Sequence, residues 1–211
     1  IYWLMGFFYS LPKNEIWDSF GTLSARLPSA LGSLFLMLMI GDTLFCWPQK
    51  GDRQFLTPIV ASLGFALSPL IIIWSRTAVS DSLLTGTLGI SLLLFWRRMA
   101  SEKDAQCISA WVFLGFAILT KGPVAFVLAI LTITSFLFSQ KNWKTLLCKI
   151  NPKKGFLITI LISAPWYILE LFREGRPFWD NFFGYHNLQR YTSVVNNHAE
   201  PFWFFLYIMI L

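Results

Sequence analysis

Hydrophobic and polar positions in this chain fall in long blocks and do not alternate at short intervals. Several apolar runs approach the roughly 20 residues that a helix needs to cross a bilayer core. Short polar links separate them, which predicts a set of membrane helices. The predicted spans and shorter apolar runs lie at about 27–46, 55–74, 82–96, 108–119, 123–138 and 156–172.

Prolines and charges refine these boundaries. The first span is expected to begin directly after Arg26, with Pro28 in its first turn. Pro58 and Pro69 predict kinks in the second span. Asp42, near the inner end of the first span, has no partner that the sequence identifies.

The two shorter apolar runs are separated only by Thr120-Lys121-Gly122. A single helix over 108–138 would be about 46 Å long at 1.5 Å per residue, well beyond a core of about 30 Å. A hairpin that turns at Gly122-Pro123 fits better, and it puts both flanking basic loops on one side. We therefore predict two helical arms joined at Lys121.

Charge then orients the chain. The loops at 47–54, 97–107 and 140–155 contain ten Lys and Arg residues against three Asp and Glu residues. The positive-inside rule places these loops in the cytoplasm. The opposite, outward face is predicted to gather a set of charged and histidine side chains: Arg26, Arg76, Asp81, Lys121, Arg173, Arg176, His186, Arg190 and His198.

Composition supports an all-α polytopic integral membrane protein. Hydrophobic residues make up 55% of the 211 residues and charged residues 13%, whereas globular proteins contain about 25% charged residues. The net charge of +6 therefore reflects topology, and no pattern predicts a nucleic-acid partner. Cys46, Cys107 and Cys148 all fall at the cytoplasmic edge, where thiols stay reduced, so no disulfide framework is expected.

Two sites on the outward face are chemically suggestive. Arg76 and Asp81 flank a tight connection and would either face a common cavity or form a salt bridge with each other. Lys121 is a compact cation suited to a phosphate, although a lysine at this depth can also simply extend to the membrane interface.

The polar segment at 182–201 lies between two apolar runs and contains both histidines. On a helix, His186 and Arg190 would share one face and could bind a phosphate or a metal ion. His198 can equally be an interfacial residue. The sequence has no GxSxG motif, Walker-type loop, zinc motif or CxxC motif. No motif therefore indicates hydrolase, ATPase or thiol chemistry.

An ordered set of short motifs resembles the glycosyltransferase family 39 membrane enzymes. Its nearest branch is the bacterial aminoarabinose transferase type, which modifies lipid A, and the protein O-mannosyltransferases are more distant relatives. The motifs are RLPSAL at 26–31, SRTAVSD at 75–81, LTKGP at 119–123, APWY at 164–167, and FFGYHNLQRY with HAEPFWFF at 182–205.

The resemblance implies a GT-C-type transmembrane helix bundle, with residues 1–211 forming part of one such domain. It implies transfer of a sugar from a polyprenyl-phosphate donor to a lipid A-like or other lipid acceptor, or to a protein. The reaction would take place at the periplasmic or extracellular face of the plasma (inner) membrane, among membrane lipids. Nucleic acid is not an expected partner.

The resemblance also implies roles for particular residues. Asp81 and Lys121 are the expected catalytic residues, and Arg76, Lys121, Arg190 and His186 the expected substrate-binding residues. A divalent metal ion is expected near His186. The acidic residues that the family uses as base and metal ligand would precede Ile1, so we expect residues 1–211 alone to be an inactive fragment.

Two other interpretations remain open from the sequence. A protein O-mannosyltransferase-like enzyme would differ only in its acceptor. A non-enzymatic transporter or lipid flippase would also need charges within the membrane, and an inverted helix repeat would favour it.

Overall fold

A computed structural model describes residues 2–11, 21–47, 54–101, 104–180, 182 and 203–204. These residues are helical or lie in short connections, and none of them forms a strand. The helices are α1 (Tyr2–Tyr9), α2 (Thr22–Cys46), α3 (Leu56–Ala66), α4 (Pro69–Ser75), α5 (Ser80–Ala100), α6 (Asp104–Lys121), α7 (Pro123–Phe138), α8 (Trp143–Ile150), α9 (Pro152–Glu174) and α10 (Arg176–Phe178).

The chain divides into two compact units, Ile1–Ser163 and Ala164–Leu211. In the part of the chain that the structure describes, two helical stretches are long and apolar enough to cross a membrane, namely Thr22–Cys46 and Trp143–Glu174. Helices α3 and α4 together make a third candidate span, which is bent by 61° at its break. This bend confirms the kink predicted at Pro69, where Pro69 begins α4.

Other predicted boundaries need correction. Pro58 is the third residue of α3, so it lies in a first turn and does not kink a helix. Pro28 lies within α2, which begins five residues earlier than predicted. Because Pro28 follows nearly two turns of helix, its predicted first-turn position is wrong.

Helices α2 and α5 run in the same direction and meet at small residues. Ser82 Oγ donates a hydrogen bond to the Ser29 carbonyl oxygen at 2.9 Å, and the Ser33 and Ser82 hydroxyl groups are also 2.9 Å apart. A Cβ atom on Gly86 would lie 2.5 Å from the Gly32 carbonyl oxygen. Helices in lipid associate through such close backbone contact and polar bonds, since apolar burial supplies little net drive there.

At the other end of this helix pair, Arg97 joins α5 to α2. Its guanidinium donates to the Thr43 hydroxyl at 2.6 and 2.9 Å and forms an ion pair with Asp42 at 2.7 Å. It also lies over the Trp47 ring, 5.3 Å from the centroid. Asp42 therefore has a partner on a neighbouring helix, which the sequence did not reveal.

The loop predicted at 97–107 is wrong at both ends, since α6 already begins at Asp104. Helix α5 continues to Ala100, and Arg97 and Arg98 are buried within it. Hydrogen bonds compensate the cost of burying these cations. Arg98 donates to the carbonyl oxygens of Lys149 at 3.0 Å and of Ser101 at 3.3 Å.

The chain direction supports the predicted hairpin. Helix α6 ends at Lys121, beside the beginning of α5, and α7 begins at Pro123. By α8 the chain has returned to the other end of α5, where Arg98 contacts Lys149. Chain reversal between α6 and α7 is thus a property of the fold, with Gly122 at φ 79° in the turn.

A small aromatic cluster occupies the second unit. Trp166 and Tyr167 on α9 lie against Phe178 and Phe182, with ring centroids 5.5 to 6.5 Å apart. Edge-on and stacked pairs of this kind add to the stability of apolar contacts.

The contact between α2 and α5 generates a stability prediction. Gly86→Ala should destabilise the protein by about 1–3 kcal/mol. The new methyl group would clash with the backbone of Gly32, which cannot move aside as a flexible side chain could. Gly64→Ala in α3 is the matched control, since nothing lies within 4 Å of the position that its methyl group would occupy. The control should be neutral or gain up to about 1 kcal/mol. Thermal unfolding in detergent measures both, and equal stability of the two variants would contradict the packing.

Candidate functional site

Asp81 and Lys121, which the sequence placed on one face, form an ion pair. The Lys121 ammonium donates a hydrogen bond to Asp81 Oδ1. Asp81 is in the first turn of α5 and Lys121 is the last residue of α6. Because α5 and α6 run in opposite directions, the beginning of one helix lies beside the end of the other.

The local backbone favours these charges at these positions. A carboxylate in a first turn and an ammonium in a last turn both interact favourably with the helix dipole. Val79 is extended and ends the connection before α5, while Gly122 stops α6 and Pro123 begins α7. The pair therefore lies where two helix termini and a tight turn converge.

Hydrogen bonds from α2 hold the beginning of α5 in place. Ser29 Oγ donates to the Val79 carbonyl oxygen at 2.9 Å, and Ser82, next to Asp81, donates back to Ser29. Ser29 and Ser82 are buried. A displacement of Asp81 would break these buried bonds, so the backbone position of the carboxylate is well determined.

The pair remains accessible despite this support. The side chains of Asp81 and Lys121 are 46% and 35% exposed, respectively. An exposed ion pair contributes only about 0–1 kcal/mol to stability. An ammonium has three N–H donors, and the hydrogen bond to Asp81 uses one, so Lys121 can still donate to an anionic ligand.

Arg76 is exposed and caps the end of α4, five residues before Asp81. It forms no ion pair with any residue in the described ranges, and Asp81 pairs with Lys121 instead. The alternative of an Arg76–Asp81 salt bridge is therefore wrong. Arg26 lies in the second turn of α2 and is exposed.

The remaining predicted site residues, His186, Arg190 and His198, lie outside the described residues. Within the described ranges, no group of three or more His, Cys, Asp or Glu side chains could hold a metal ion. Asp81, the carboxylate that the described residues place at this site, is already paired with an ammonium. The described residues therefore do not supply a ligand set for the divalent metal that the resemblance implies.

The charged network that the sequence missed lies at the opposite end of α2 and α5. Arg97 forms an ion pair with Asp42 and donates a hydrogen bond to Thr43 there. The available signal was an acid in one apolar span and an arginine at the end of another. Their pairing depends on α2 and α5 being parallel, which the sequence pattern does not determine.

Comparison with known proteins decides the family. The family described as dolichyl-phosphate-mannose-protein mannosyltransferase matches residues 1–169. The chain belongs to this family. The resemblance that the sequence motifs carried is confirmed.

Curated relatives of the chain share one named activity. A protein of Erwinia tasmaniensis, "Undecaprenyl phosphate-alpha-4-amino-4-deoxy-L-arabinose arabinosyl transferase", is 26% identical over 184 residues, covering 85% of this chain and 33% of the relative. A Pseudomonas fluorescens protein with the same name, numbered 1, is 25% identical over 213 residues, covering 99% of this chain and 36% of the relative. The chain thus spans about a third of the length of these relatives.

Solved structures with a similar fold are also known. The crystal structure of ArnT from Cupriavidus metallidurans bound to undecaprenyl phosphate matches with a TM-score of 0.81 at 23% identity, covering 99% of this chain and 36% of that one. The apo structure of the same protein matches with a TM-score of 0.78 at 20% identity. The prediction of an all-α GT-C-type membrane helix bundle is confirmed.

The two charged networks should contribute differently to stability. Replacing Asp81 with Asn or Lys121 with Gln should change the free energy of unfolding by less than about 1 kcal/mol, because the pair is exposed. Arg97→Gln should cost about 1.5–3 kcal/mol, because it removes the charge-assisted hydrogen bonds of a buried guanidinium to Thr43 and to the Met39 carbonyl oxygen. Unfolding in detergent tests this difference. A large loss of stability in Lys121→Gln would mean that the Asp81–Lys121 pair is a structural element.

Proposed function

We propose that the protein is a glycosyltransferase that moves a sugar from a polyprenyl-phosphate donor to a lipid A-like acceptor. The observation that carries this proposal is the accessible Asp81–Lys121 pair at the turn between α6 and α7. It places a cation with spare donors at one end of a membrane helix bundle, where a lipid phosphate can reach it.

The comparisons support the donor class. The curated relatives are named for an undecaprenyl-phosphate sugar, and a protein with the same fold has been solved with undecaprenyl phosphate bound. Together with family membership, these names favour a polyprenyl-phosphate sugar as the donor.

The proposed chemistry is a displacement at the anomeric carbon of the donor sugar. An oxygen nucleophile of the acceptor attacks that carbon and loses its proton to a base. The bond between the anomeric carbon and the phosphate oxygen breaks, and polyprenyl phosphate leaves with the electron pair. Negative charge therefore increases on the phosphate during the reaction, and a positioned cation lowers the barrier by stabilising it.

Lys121 is proposed to bind this phosphate, and Asp81 to hold the ammonium in position. Asp81 accepts a hydrogen bond from one N–H of the ammonium, and the other two N–H groups stay available to the phosphate. Arg76 is on the short connection before α5 and is exposed, so it can contribute a second cation to the phosphate when substrate is bound.

Arg190 is proposed to be a further phosphate donor, since a guanidinium matches phosphate oxygens with two parallel bonds. His186 is proposed to assist in binding the substrate or a divalent metal ion. We assign the general base to none of residues 1–211.

A protein acceptor is the second candidate. The family description names protein mannosyltransferases, whereas the curated relatives described above are named as arabinosyl transferases. The acceptor hydroxyl would react in the same way in both cases. The site is proposed to face the periplasm or exterior of the inner membrane, because the basic loops lie at the other end of the bundle.

Activity assays on the full-length enzyme test the proposal. Lys121→Ala and Arg190→Ala should each lower sugar transfer by about 100-fold or more, because each removes stabilisation of the leaving phosphate. Membrane insertion should be normal. The measurement is transfer from several polyprenyl-phosphate sugars to lipid and protein acceptors in membranes.

Lys103→Ala is the matched control, since it removes a lysine from the segment between α5 and α6 and should leave transfer unchanged. Full activity in Lys121→Ala and Arg190→Ala would refute the assignment of the phosphate site. Absence of transfer from every polyprenyl-phosphate sugar in the unmodified enzyme would refute the proposed donor class.

A further inference from the structure

The segment at 140–155, here called the lysine segment, follows α7 and contains α8 and the first turn of α9. It has five lysines and no Asp or Glu: Lys141, Lys144, Lys149, Lys153 and Lys154. It lies at the end of the first unit opposite the Asp81–Lys121 pair, because the end of α8 contacts Arg98.

Helix α8 is firmly attached to the bundle through its last carbonyl groups. Arg98 Nε donates to the Lys149 carbonyl oxygen at 3.0 Å. Trp111 Nε1 and Cys107 Sγ donate to the Ile150 carbonyl oxygen at 2.8 and 3.0 Å. Carbonyl groups that a helix end leaves unsatisfied are thus paired with side chains of α5 and α6. The position of α8 is therefore determined by the fold.

The faces of α8 differ sharply in polarity. Leu146 and Ile150 are buried, and Leu147 packs against the same core. At 100° per residue, Lys144 and Cys148 fall on the opposite side, and both are exposed. A helix with one apolar face and one polar face that carries a lysine is typical of a membrane interface.

Four lysines of this segment have no acidic partner among the residues that the structure describes. None of Lys141, Lys144, Lys153 and Lys154 forms an ion pair with a residue that the structure describes, and all four are exposed. Lys144 lies over the Trp143 ring, 5.5 Å from its centroid. By contrast, Arg97 and Arg98 at this end of the bundle are buried and bonded within the protein. Among the described residues at this end of the bundle, the positive charge available to an external partner is therefore concentrated in the lysine segment.

Exposed apolar side chains place these lysines at the depth of lipid headgroups. Phe138 is 84% exposed at the end of α7, three residues before Lys141. Trp143 is 41% exposed beside Lys144. Phe156 and Leu157, which follow Lys154 closely, are 50% and 59% exposed. Apolar side chains that face lipid next to lysines are arranged as at the boundary between acyl chains and headgroups.

We propose that Lys141, Lys144, Lys153 and Lys154 form a binding surface for the phosphate headgroups of anionic membrane lipids. The partner is a lipid surface, because the cations and the exposed apolar side chains alternate along the same segment. Binding at this surface would hold α8, and through Arg98 the end of α5, against the membrane. This inference does not depend on the proposed enzymatic activity.

The expected affinity follows from the charge. Each lysine near an anionic membrane surface contributes about 1 kcal/mol, so removing one should weaken binding about fivefold. Removing all four should weaken it by about two orders of magnitude or more. Because these charges are exposed, binding should also weaken as ionic strength rises from about 0.05 to 0.5 M.

The test uses the full-length protein purified in detergent and titrated with short-chain phosphatidylglycerol or phosphatidylcholine. Binding is followed by intrinsic tryptophan fluorescence and by the rise in thermal unfolding temperature. The variant K141Q/K144Q/K153Q/K154Q removes the charges, and K141R/K144R/K153R/K154R is the matched control that keeps them. Glycerol 3-phosphate is the control for a free phosphate.

The proposal predicts salt-sensitive preference for phosphatidylglycerol over phosphatidylcholine, which the Gln variant loses and the Arg variant keeps. Equal binding of both lipids by the unmodified protein would overturn it. Unchanged preference in the Gln variant would overturn it as well, as would equal stabilisation by glycerol 3-phosphate. Should the fourfold variant fail to fold, K141Q/K144Q and K153Q/K154Q are measured separately, and each should lose about 25-fold in affinity.

Discussion

The backbone contact between α2 and α5 is the constraint on which the rest of the structure depends. In lipid, two helices gain little from burying apolar surface against each other. They stay together here because Gly32 and Gly86 allow close approach and because Ser29, Ser33 and Ser82 exchange hydrogen bonds across the contact. This contact determines where α5 begins and therefore where Asp81 lies.

The same helix pair carries a charged network at each end, and the two networks differ in burial. Arg97 is buried and satisfied by Asp42 and Thr43, so its bonds serve to hold α5 to α2. Asp81 and Lys121 are partly exposed, and their mutual bond adds little to stability. Because Lys121 adds little to stability, we propose that it binds a ligand.

Much of this fold could be predicted from the sequence. The Lys121-Gly122-Pro123 break identified the hairpin, since a single helix would have been too long for a bilayer. The bend at Pro69 was predicted because a proline ring interrupts a helix.

The end of α5 was missed because Arg97 and Arg98 resemble loop residues until their partners on α2 and α8 are known. Helix α8 was missed because it is short and its lysines make the segment resemble a polar loop, although Leu146 and Ile150 form an apolar face. Asp81 and Lys121 were correctly placed on one face, but their direct bond depends on the antiparallel packing of α5 and α6. The positions of His186 and Arg190 stay predictions.

The central claim is that Lys121, held by Asp81, binds a lipid phosphate. The most direct measurement compares the affinity of the full-length protein for polyprenyl phosphate and for the corresponding polyprenol, which lacks the phosphate. The account predicts that the unmodified protein binds the phosphate form more tightly, and that Lys121→Ala reduces this preference by about tenfold or more, since a hydrogen bond to a charged group contributes about 1.5–3 kcal/mol. An unchanged preference in Lys121→Ala, with polyprenol binding intact, would contradict it.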